Sequence, residues 1–373
     1  MRKIKKGLHI GIALIANLIY GMPGKRLKLI GVTGTDGKTT TVLMIYHILK
    51  NAGYKVGYIS TIGYDVGGKR FDQGLHVTTP SSLVLQKLLR AAVNNKLTHL
   101  VLESSSHGLD QNRLLGCHFE VSVITNITPE HLDYHKTYDN YLNTKAKLLS
   151  LSKVKLINKG DRSYKELIKK FPDSIAFEFE DFGFAEKYNN ENAAAAAKVC
   201  KEIGIKEKEI KKYLKSFEFP AGRYDVVQKK PFTVIVDFAH TPNGLINFLS
   251  SLPKSSGKLI HIFGCAGERD KYKRPEMGKN SASFADIIIL TAEDPRSEKV
   301  EDINGSIKKG IPKSFKGKLI EVHDRGKAIA TGIKLAKVGD RVVITGKGPE
   351  KSNNIGGVEY PWSDLEEVKK YLE

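Results

Sequence analysis

The sequence predicts two consecutive α/β domains, each built on a parallel sheet with helices on both faces. Three observations support this fold class. Apolar runs of strand character alternate with amphipathic helical stretches in both halves of the chain,. The segment Phe219-Pro220-Ala221-Gly222 interrupts that alternation once. A glycine-rich turn follows the first strong strand and precedes a helix. We therefore expect an apolar helix at 1–24, a central domain at 25–219 and a C-terminal domain at 220–373.

Composition limits the classes of partner. The 373 residues carry 60 Lys and Arg against 41 Asp and Glu, which gives a formal net charge of +19. The basic residues are spread along the chain without a dense tail, so we expect anionic small molecules as ligands and no nucleic acid. Cys117, Cys200 and Cys265 lie far apart and lack metal-ligand spacing, which predicts free thiols and a cytoplasmic protein,.

The N-terminal segment is basic and then apolar. Arg2, Lys3, Lys5 and Lys6 precede the stretch Leu8–Tyr20. Thirteen apolar residues are too few to span a bilayer, which takes about 20, and no signal-peptidase site follows them. We expect a helix packed on the body of the protein. A helix that lies on the inner membrane face remains an alternative.

Hydrophobic spacing places further elements along the chain. In the central domain it predicts strands at Lys55–Thr61, Thr98–Leu102 and Val121–Ile124, and helices at Leu83–Asn94, Tyr141–Leu151 and Asn192–Ile203. In the C-terminal domain it predicts strands at Thr233–Val236, Lys258–Phe263, Ala285–Leu290, Leu319–Glu321 and Arg341–Ile344, with helices at Gly244–Ser251 and Ala328–Leu335. The second series is similar in order to a six-stranded dinucleotide-type fold.

The glycine-rich turn has the layout of a phosphate-binding loop. A strand at 29–33 leads into Gly34-Thr35-Asp36-Gly37-Lys38-Thr39-Thr40, and a helix follows. Glycines let successive amides face an anion, and the helix N-terminus adds positive charge. Lys38 would reach the terminal phosphates and Thr39 would bind Mg²⁺. Val32 stands where the strict motif has its first glycine. The sequence thus predicts a P-loop-type parallel-sheet ATPase domain, followed by a Rossmann-like α/β C-terminal domain.

Polar side chains follow several other predicted strands. Glu103 ends the strand beside the loop's strand and is a suitable Mg²⁺ ligand,. Residues 125–135 bring two histidines and two acids together after the next strand, which favours a metal or a phosphate site. By helix pattern alone, Lys145 is an exposed lysine. In the second half, polar clusters follow four strands at 237–242, 264–271, 293–296 and 346–350, so these strand ends should form a binding rim,.

Together these motifs resemble the Mur ligase family, in the same order, from about Lys28 to the C-terminus. The likeness is greatest to the branch that adds the third residue of a muramoyl peptide. The motifs that carry it are Gly34–Thr40, Thr78-Thr79-Pro80, Glu103–Leu109, Asn126–His135, Asp237–Pro242, Gly264–Lys271, Asp294-Pro295-Arg296 and Gly346-Lys347-Gly348.

The resemblance implies roles for individual residues. The catalytic residues would be Lys38, Glu103, His131 and Lys145, and the ligands of two Mg²⁺ ions would be Thr39, Glu103, His131 and a carbamylated Lys145. ATP would be bound by Gly34, Thr35, Asp36, Gly37, Lys38, Thr39, Thr40, Asn189, Asn192 and Arg325. The muramoyl peptide and the incoming amino acid would be bound by Thr78, Thr79, Ser105, Arg113, Arg269, Asp294, Arg296, Gly346 and Glu350.

The family chemistry is ATP-dependent amide synthesis in peptidoglycan precursor formation. ATP phosphorylates a carboxylate of the muramoyl peptide, and the amine of an amino acid displaces phosphate from that acyl-phosphate. A guanidinium suits a carboxylate, so Arg296 suggests an amino acid with a distal carboxylate such as meso-diaminopimelate. The expected partners are small molecules, with peripheral membrane contact through the N-terminal helix as an alternative, and we expect a monomer.

The sequence departs from the family pattern at several places. About thirty residues precede the ATP loop, where the family carries a uridine-nucleotide-binding domain. Glu293-Asp294 replaces Asp-Asn, and Pro349 replaces a histidine. Two alternatives stay open on the sequence: a ligase of the same fold that acts on folyl-polyglutamate or another poly-amino-acid acceptor, and a non-catalytic nucleotide-binding subunit.

Overall fold

The computed structural model describes residues 2–68, 71 and 78–372, with the backbone alone at residues 2–6. The chain divides into two compact units. The first comprises Met1–Pro129 and His135–Phe217, and the second comprises Glu130–Tyr134 and Glu218–Glu373. The short segment 130–134 therefore belongs with the C-terminal half, although it lies in the middle of the N-terminal half of the sequence.

The described part of the first unit is built on a seven-stranded sheet in the order β3-β2-β4-β1-β5-β6-β7. Its neighbours pair in parallel except for β3, which runs antiparallel to β2 at the edge. The elements, with the short α5 at the division between the units, are α1 (Arg2–Ile19), β1 (Lys28–Thr33), α2 (Lys38–Asn51), β2 (Val56–Ser60), β3 (Gly63–Asp65), α3 (Ser82–Asn94), β4 (His99–Glu103), α4 (Ser106–Asp110), β5 (Phe119–Ile124), α5 (Leu132–His135), α6 (Tyr138–Ser150), β6 (Ser152–Asn158), α7 (Tyr164–Lys170), β7 (Ile175–Phe177), α8 (Lys187–Glu202) and α9 (Glu207–Lys215).

Within the described residues of the second unit, six strands form a sheet in the order β12-β11-β10-β13-β9-β8. Only β8 runs antiparallel to its neighbour, and a separate antiparallel hairpin, β14–β15, follows. The elements are β8 (Asp225–Gln228), β9 (Thr233–Val236), α10 (Pro242–Ser251), β10 (Leu259–Phe263), α11 (Lys273–Ala282), β11 (Ile287–Leu290), α12 (Val300–Lys308), β12 (Lys318–Glu321), α13 (Arg325–Leu335), β13 (Arg341–Ile344), β14 (Ser352–Ile355), β15 (Val358–Pro361) and α14 (Asp364–Leu372).

Several inner strands of both sheets are buried along their whole length. All five residues of β2, β4 and β10 and all four of β11 are buried. Strands covered by helices on both faces are largely apolar, because both faces are removed from water. Separate apolar clusters, one around Leu245 and Phe263 and the other around Ile262 and Ile329, pack in the second unit. The predicted α/β class with parallel sheets is confirmed in both units.

The sheets carry features that hydrophobic alternation did not predict. The edge strands β3 and β8 pair antiparallel, and the hairpin β14–β15 lies outside both main sheets. The order β12-β11-β10 matches one half of a dinucleotide-type sheet. On the other side of β10, strands β13, β9 and β8 follow, so two strands from the start of the unit occupy the far edge.

Helix α1 packs on the first unit through one face. Ala13 and Ala16 are wholly buried, and the Asn17 amide donates hydrogen bonds to the carbonyls of Ala13 and Leu115 at 2.8 Å. Arg90 caps the end of the helix, since its Nε donates to the Tyr20 carbonyl at 2.7 Å,. Met1 lies outside the described residues. Among the residues described, no helix is both long and apolar enough to cross a membrane.

Candidate functional site

The glycine-rich loop between β1 and α2 has the conformation its sequence predicts. Gly37 precedes the first residue of α2 with φ = 79°, a left-handed conformation that favours glycine,. A Cβ atom at Gly37 would lie 2.0 Å from Oδ1 of Asn192, so no other residue fits there without displacing that side chain. The loop therefore presents the N-terminus of a 14-residue helix, the kind of backbone that binds phosphate,.

The segment Thr125-Asn126 holds this turn in place, a role that the sequence did not indicate. The Asp36 amide donates to Oδ1 of Asn126 at 2.9 Å, and Nδ2 of Asn126 donates back to the Asp36 carbonyl at 3.1 Å. The hydroxyl of Thr125 donates to the same carbonyl at 2.8 Å, and the Thr35 amide donates to the Asn126 carbonyl at 2.9 Å. The sequence signals were that Thr125-Asn126 follows an apolar strand and that Asn126 begins a family motif.

The predicted phosphate ligands lie at the start of α2. Nζ of Lys38 donates to the Thr35 carbonyl at 2.8 Å, so the lysine side chain folds across the loop. Thr39 and Thr40 are buried, and the Thr39 hydroxyl donates to Oε2 of Glu103 at 3.0 Å. The structure thus brings together two of the residues proposed as magnesium ligands.

Glu103, at the end of β4, is 1% exposed and holds a central position. Besides the Thr39 hydroxyl, the Thr61 amide donates to its Oε2 at 3.0 Å and the Thr61 hydroxyl to its Oε1 at 3.1 Å. Hydroxyl and carboxylate oxygens are the hard donors that Mg²⁺ prefers, so the chemistry of this pair fits the ion. Thr61 was missed in the sequence analysis, because a single threonine after a strand has no motif.

Four predicted substrate residues gather beside Glu103. The Thr61 hydroxyl donates to that of Thr78 at 3.1 Å, and the Thr79 hydroxyl donates to the Glu103 carbonyl at 3.1 Å. The Ser105 amide donates to Oγ1 of Thr79 at 2.8 Å. Ser105 in turn caps α4, and Arg113 donates to the Thr79 carbonyl. Hydroxyls, an amide and a guanidinium therefore converge on one strand end.

Lys145 is buried, whereas its helical spacing alone predicted an exposed side chain. It is 2% exposed, and its Nζ donates to the Gly34 carbonyl at 2.5 Å and lies 4.7 Å from the centre of the Tyr141 ring. The Tyr141 hydroxyl lies 3.2 Å from that of Thr35. Hydrophobic periodicity failed here because α6 directs the Lys145 ammonium and the Tyr141 hydroxyl inward, towards the loop 34–40.

His131 lies in the segment 130–134 of the second unit, so it falls in a different unit from Lys145. It has φ = 56°, uncommon for a residue with a side chain,. Next to it, the carboxylate of Glu130 pairs with Nζ of Lys273 at 3.0 Å, and the Leu132 amide donates to Asp270 at 3.3 Å. In the part of the chain that the structure describes, no three His, Cys, Asp or Glu side chains are grouped to hold a metal. The joint role of His131 and Lys145 stays a prediction.

The two predicted adenine-contacting asparagines lie on α8. Asn192 abuts the loop at Gly37, as the close approach of its Oδ1 shows. Asn189 is buried, and its amide donates to Oε2 of Glu186 at 2.9 Å. Both are therefore held in position by the protein, and contact with adenine stays a prediction.

In the second unit, Asp294, Gly346 and Glu350 gather around a buried lysine. Nζ of Lys347 lies 2.6 Å from Oδ1 of Asp294 and 2.7 Å from Oε2 of Glu350. Gly346 has φ = 109°, and a Cβ atom there would lie 2.3 Å from Oε2 of Glu293. The loops after β11 and β13 therefore contact each other, as expected for parts of the predicted binding rim.

Arg269 and Arg296 lie on the loops that follow the neighbouring strands β10 and β11, and these loops bond to each other, since the Gly267 amide donates to the Asp294 carbonyl at 2.9 Å. Partial loss of hydration, and then the charge of Arg296, lower the pKa of Arg269. Nη1 of Arg296 donates to the Gly267 carbonyl at 3.1 Å, and its backbone has φ = 53°. Guanidinium groups on adjoining loops suit an anion such as a carboxylate, and binding of one here stays a prediction.

Arg325 is buried and engaged within the second unit. Its Nε and Nη2 donate to the two oxygens of Asp364, each at 2.7 Å, and Nη1 donates to the Ala292 carbonyl at 3.1 Å. These carboxylate contacts raise its pKa despite burial. The predicted contact of Arg325 with ATP stays a prediction, since the bonds described here all serve the second unit.

The three cysteines are buried free thiols, as the sequence predicted. Burial raises the pKa of Cys117 and of Cys265 to about 12, so neither is a thiolate at neutral pH,.

Comparison with known protein families matches the chain in two adjoining stretches. The model of the Mur ligase middle domain matches residues 32–226, and the model of the Mur ligase glutamate ligase domain matches residues 222–348.

Similar proteins match over nearly the whole chain. The UDP-N-acetylmuramoyl-L-alanyl-D-glutamate–2,6-diaminopimelate ligase of Aquifex aeolicus is 41% identical over 389 residues, which cover 96% of this chain and 80% of that protein. The ligase of the same name from Clostridium botulinum is 37% identical and covers 91% of this chain and 76% of its own length.

Solved structures give the same picture of the fold. A UDP-N-acetylmuramoyl-L-alanyl-D-glutamate–2,6-diaminopimelate ligase superposes with a TM-score of 0.59 at 31% identity, covering 93% of this chain and 78% of that one. The folylpolyglutamate synthase of Mycobacterium tuberculosis has a TM-score of 0.72 at 15% identity over 91% of this chain and 92% of that one. At that identity the second likeness is one of fold alone.

Proposed function

Since this chain belongs to the Mur ligase family and is an ATP-dependent carboxylate–amine ligase, we propose that it adds 2,6-diaminopimelate to a muramoyl dipeptide. The acceptor would be UDP-N-acetylmuramoyl-L-alanyl-D-glutamate, as in the names of its relatives. The reaction extends the dipeptide to a tripeptide through an acyl-phosphate. We assign the central domain to 25–219 and the C-terminal domain to 220–373, in a cytoplasmic monomer.

The observation that carries the choice of amino acid is the pair Arg269 and Arg296. Diaminopimelate has a second carboxylate at the far end from its reacting amine, and lysine has none. The guanidiniums of these two adjoining loops would hold that carboxylate, and the Gly267 carbonyl fixes the guanidinium of Arg296,. Asp294 and Glu350 supply negative charge close by for the ammonium group of the amino acid.

The nucleotide would occupy the loop 34–40. Its amides would contact the phosphates, Lys38 would swing from the Thr35 carbonyl to the terminal phosphate, and Asn189 and Asn192 would contact adenine. Thr39 and Glu103 would hold a Mg²⁺ ion, which when bound neutralises phosphate charge. Thr61, Thr78 and Thr79 keep the Glu103 carboxylate and the neighbouring backbone in a fixed orientation.

The acceptor would lie along the strand end that carries Thr79, Ser105 and Arg113. There its terminal carboxylate would reach the phosphate that Lys38 holds, and transfer would give the acyl-phosphate. The amine of diaminopimelate then forms the amide bond, and phosphate leaves. His131 and a carbamylated Lys145 would supply the ligands of a second ion. Carbamylation turns an ammonium into an anionic oxygen donor, which suits the buried position of Lys145 beside Gly34.

The test is phosphate release from ATP by the purified full chain. Release should require both the UDP-muramoyl dipeptide and meso-diaminopimelate, and mass spectrometry should find the tripeptide. L-Lysine in place of diaminopimelate should support release poorly. Arg296→Gln should raise the KM for diaminopimelate by about 100-fold with a smaller change for ATP. Release with a folyl or polyglutamate acceptor, and none with the muramoyl dipeptide, would overturn the proposal.

A further inference from the structure

Helix α1 exposes a continuous apolar surface. Leu8, Ile12, Ile15 and Ile19 recur at intervals of four, three and four residues, so they lie along one side of the helix,. Leu8, Ile15 and Ile19 are 63%, 56% and 66% exposed. Leu14 and Leu18 extend the surface on the adjoining side. Every exposed position from 7 to 19 is Gly, Leu or Ile. A contiguous apolar surface of this kind is typical of an interaction site.

The orientation of this surface is fixed by the opposite face of the helix. Ala13 and Ala16 are buried against the first unit, and Asn17 bonds to the Leu115 carbonyl. Arg90 holds the C-terminal end of the helix at Tyr20 and Gly21. With those contacts made, the helix cannot rotate to bury its leucines and isoleucines without breaking them.

Cationic residues lie beyond both ends of the apolar surface. In sequence, Arg2, Lys3, Lys5 and Lys6 precede it, and no Asp or Glu occurs among the first 35 residues. At the other end, a hollow of about 370 Å³ is lined by Leu18, Gly21, Met22, Lys25 and Arg26. Lys25 and Arg26 are exposed. The hollow therefore combines apolar walls with two cations, a suitable site for an anionic headgroup.

We propose that α1 docks this enzyme on a membrane surface that contains anionic lipids. An apolar side inserted among acyl chains, with lysines and arginines at the level of phosphate groups, is how amphipathic helices bind such surfaces. The helix lies in the plane of the membrane and does not cross it, in keeping with its length. The proposal goes beyond the ligase reaction and does not depend on which amino acid is added.

Charge decides between a lipid surface and a second copy of the chain. Two copies that met through α1 would bring their cationic segments near each other without any acid among the first 35 residues to compensate. An anionic bilayer instead neutralises them. The chain's net charge of +19 adds a longer-range attraction in the same direction,.

The experiment is flotation of the full chain with vesicles of phosphatidylcholine alone or mixed with phosphatidylglycerol. Binding should require phosphatidylglycerol and weaken as salt is raised. Ile15→Gln/Ile19→Gln should lower the affinity by about tenfold or more for each side chain. Lys25→Gln/Arg26→Gln should lower it about fivefold for each charge.

Matched controls alter equally exposed residues elsewhere. Val338→Gln/Val358→Gln removes two exposed apolar side chains, and Lys313→Gln/Lys316→Gln removes two exposed lysines. Both should bind vesicles as the unaltered chain does. Thermal melting of each variant verifies that it folds, and ATP-dependent phosphate release without lipid should be the same for all of them. Vesicle binding by a protein without ligase activity would leave this inference standing and the proposed function rejected.

Three kinds of result would overturn the inference. The first is no binding to either kind of vesicle. The second is equal binding to neutral and anionic vesicles, or binding that Ile15→Gln/Ile19→Gln leaves intact. The third is a dimer in solution that the same double substitution converts to a monomer, without any lipid binding, which would assign the surface to a second copy of the chain.

Discussion

Nζ of Lys347 lies 2.6 Å from Oδ1 of Asp294, and the lysine side chain is entirely buried. The same ammonium bonds to Glu350 at 2.7 Å. Burial alone would lower the pKa of Lys347, but the two carboxylates outweigh burial and raise it. Two acids proposed to bind the incoming amino acid are thus oriented by one internal cation, which makes Lys347 a positioning residue for both loops.

Lys347→Met should destabilise the fold and weaken amino acid binding. It leaves two carboxylates facing each other without their cation. We expect a loss of about 2 kcal/mol in the free energy of unfolding, below the value for a fully buried pair because Asp294 and Glu350 keep some contact with water. Urea denaturation measures it. The KM for the amino acid should rise, while the KM for ATP stays unchanged. Lys347→Arg should restore part of the affinity for the amino acid.

Lys308→Met is the matched control for Lys347→Met. Lys308 pairs with Glu321 near the surface of the same unit, so its loss should cost under about 1 kcal/mol,. If both variants lost equal stability, or if Lys347→Met left the KM for the amino acid unchanged, Lys347 would have no positioning role.

Glu293 should make stability depend on pH. Burial raises the pKa of its carboxyl to about 8, although Arg325, Lys273 and Lys347 pull it down. Its Oε2 has no hydrogen-bond partner among the residues described. Because the folded pKa lies above the unfolded value, this group favours folding most at acid pH. The stability is lost as pH rises from about 4.5 towards 8, by at most about 1.4 kcal/mol per pH unit.

Glu293→Gln removes that titration while keeping the shape of the side chain. Its free energy of unfolding, measured by urea at several pH values, should match the unaltered chain near pH 5 and exceed it increasingly up to pH 8. Glu218→Gln, at an exposed position, should follow the unaltered profile. Parallel profiles for all three proteins would show that Glu293 does not titrate in this range.

Sequence reasoning predicted the fold well where burial controls the pattern. Strands β9 and β13 have the predicted bounds. Strands β2, β4 and β10 differ from their own predicted bounds by one residue at one or both ends. Buried parallel strands are continuous apolar runs, which a sequence displays directly. The antiparallel edge strands β3 and β8 were missed because a short edge strand has neither a long apolar run nor a strict alternation.

The candidate site was predictable where backbone chemistry needs a particular residue, as at Gly37, and where a strand ends in an acid, as at Glu103. It was not predictable where an ordinary residue gains its role from a distant partner. Thr61 contacts Glu103 and Asn126 contacts Asp36 across separations of 42 and 90 residues. Lys145 was assigned its role by family resemblance alone, since its helix gives no sign that the side chain turns inward.

Lys145 and Lys147 form a natural pair for testing carbamylation. Both lie on α6, but Lys145 is buried beside the Gly34 carbonyl, whereas Lys147 is half exposed and pairs with Asp110 at 3.5 Å. Lys145→Ala should abolish phosphate release, and Lys147→Ala should retain most of it. Added acetate or formate should restore part of the activity of Lys145→Ala, because a small carboxylate can replace the carbamate oxygens in the vacated space.

The rescue distinguishes a ligand from a merely structural lysine. Acetate should raise release by Lys145→Ala severalfold over chloride at the same ionic strength, and should not alter the unmodified chain. Full activity of Lys145→Ala, or a rescue by methylamine and not by acetate, would mean that the side chain acts as a cation and carries no carbamate.

Thr39 and Thr41 provide the sharpest test of the nucleotide site. Both are buried on the first turn of α2, two residues apart. The Thr39 hydroxyl donates to Glu103 at 3.0 Å, whereas the Thr41 hydroxyl has no hydrogen-bond partner in the described part of the chain. Thr39→Val should weaken Mg²⁺-dependent binding of a non-hydrolysable ATP analogue by about 10–100-fold in calorimetry, since a bond near charged groups is lost.

Thr41→Val makes the identical chemical change without that loss. It should leave nucleotide affinity unchanged and stabilise the fold slightly, because an unpaired buried hydroxyl is replaced by a methyl group of the same shape. The difference between the two variants should vanish when EDTA removes Mg²⁺, since the Thr39 hydroxyl then has no ion to bind. Equal affinities for the two variants in Mg²⁺ would exclude Thr39 and Glu103 as a joint magnesium site.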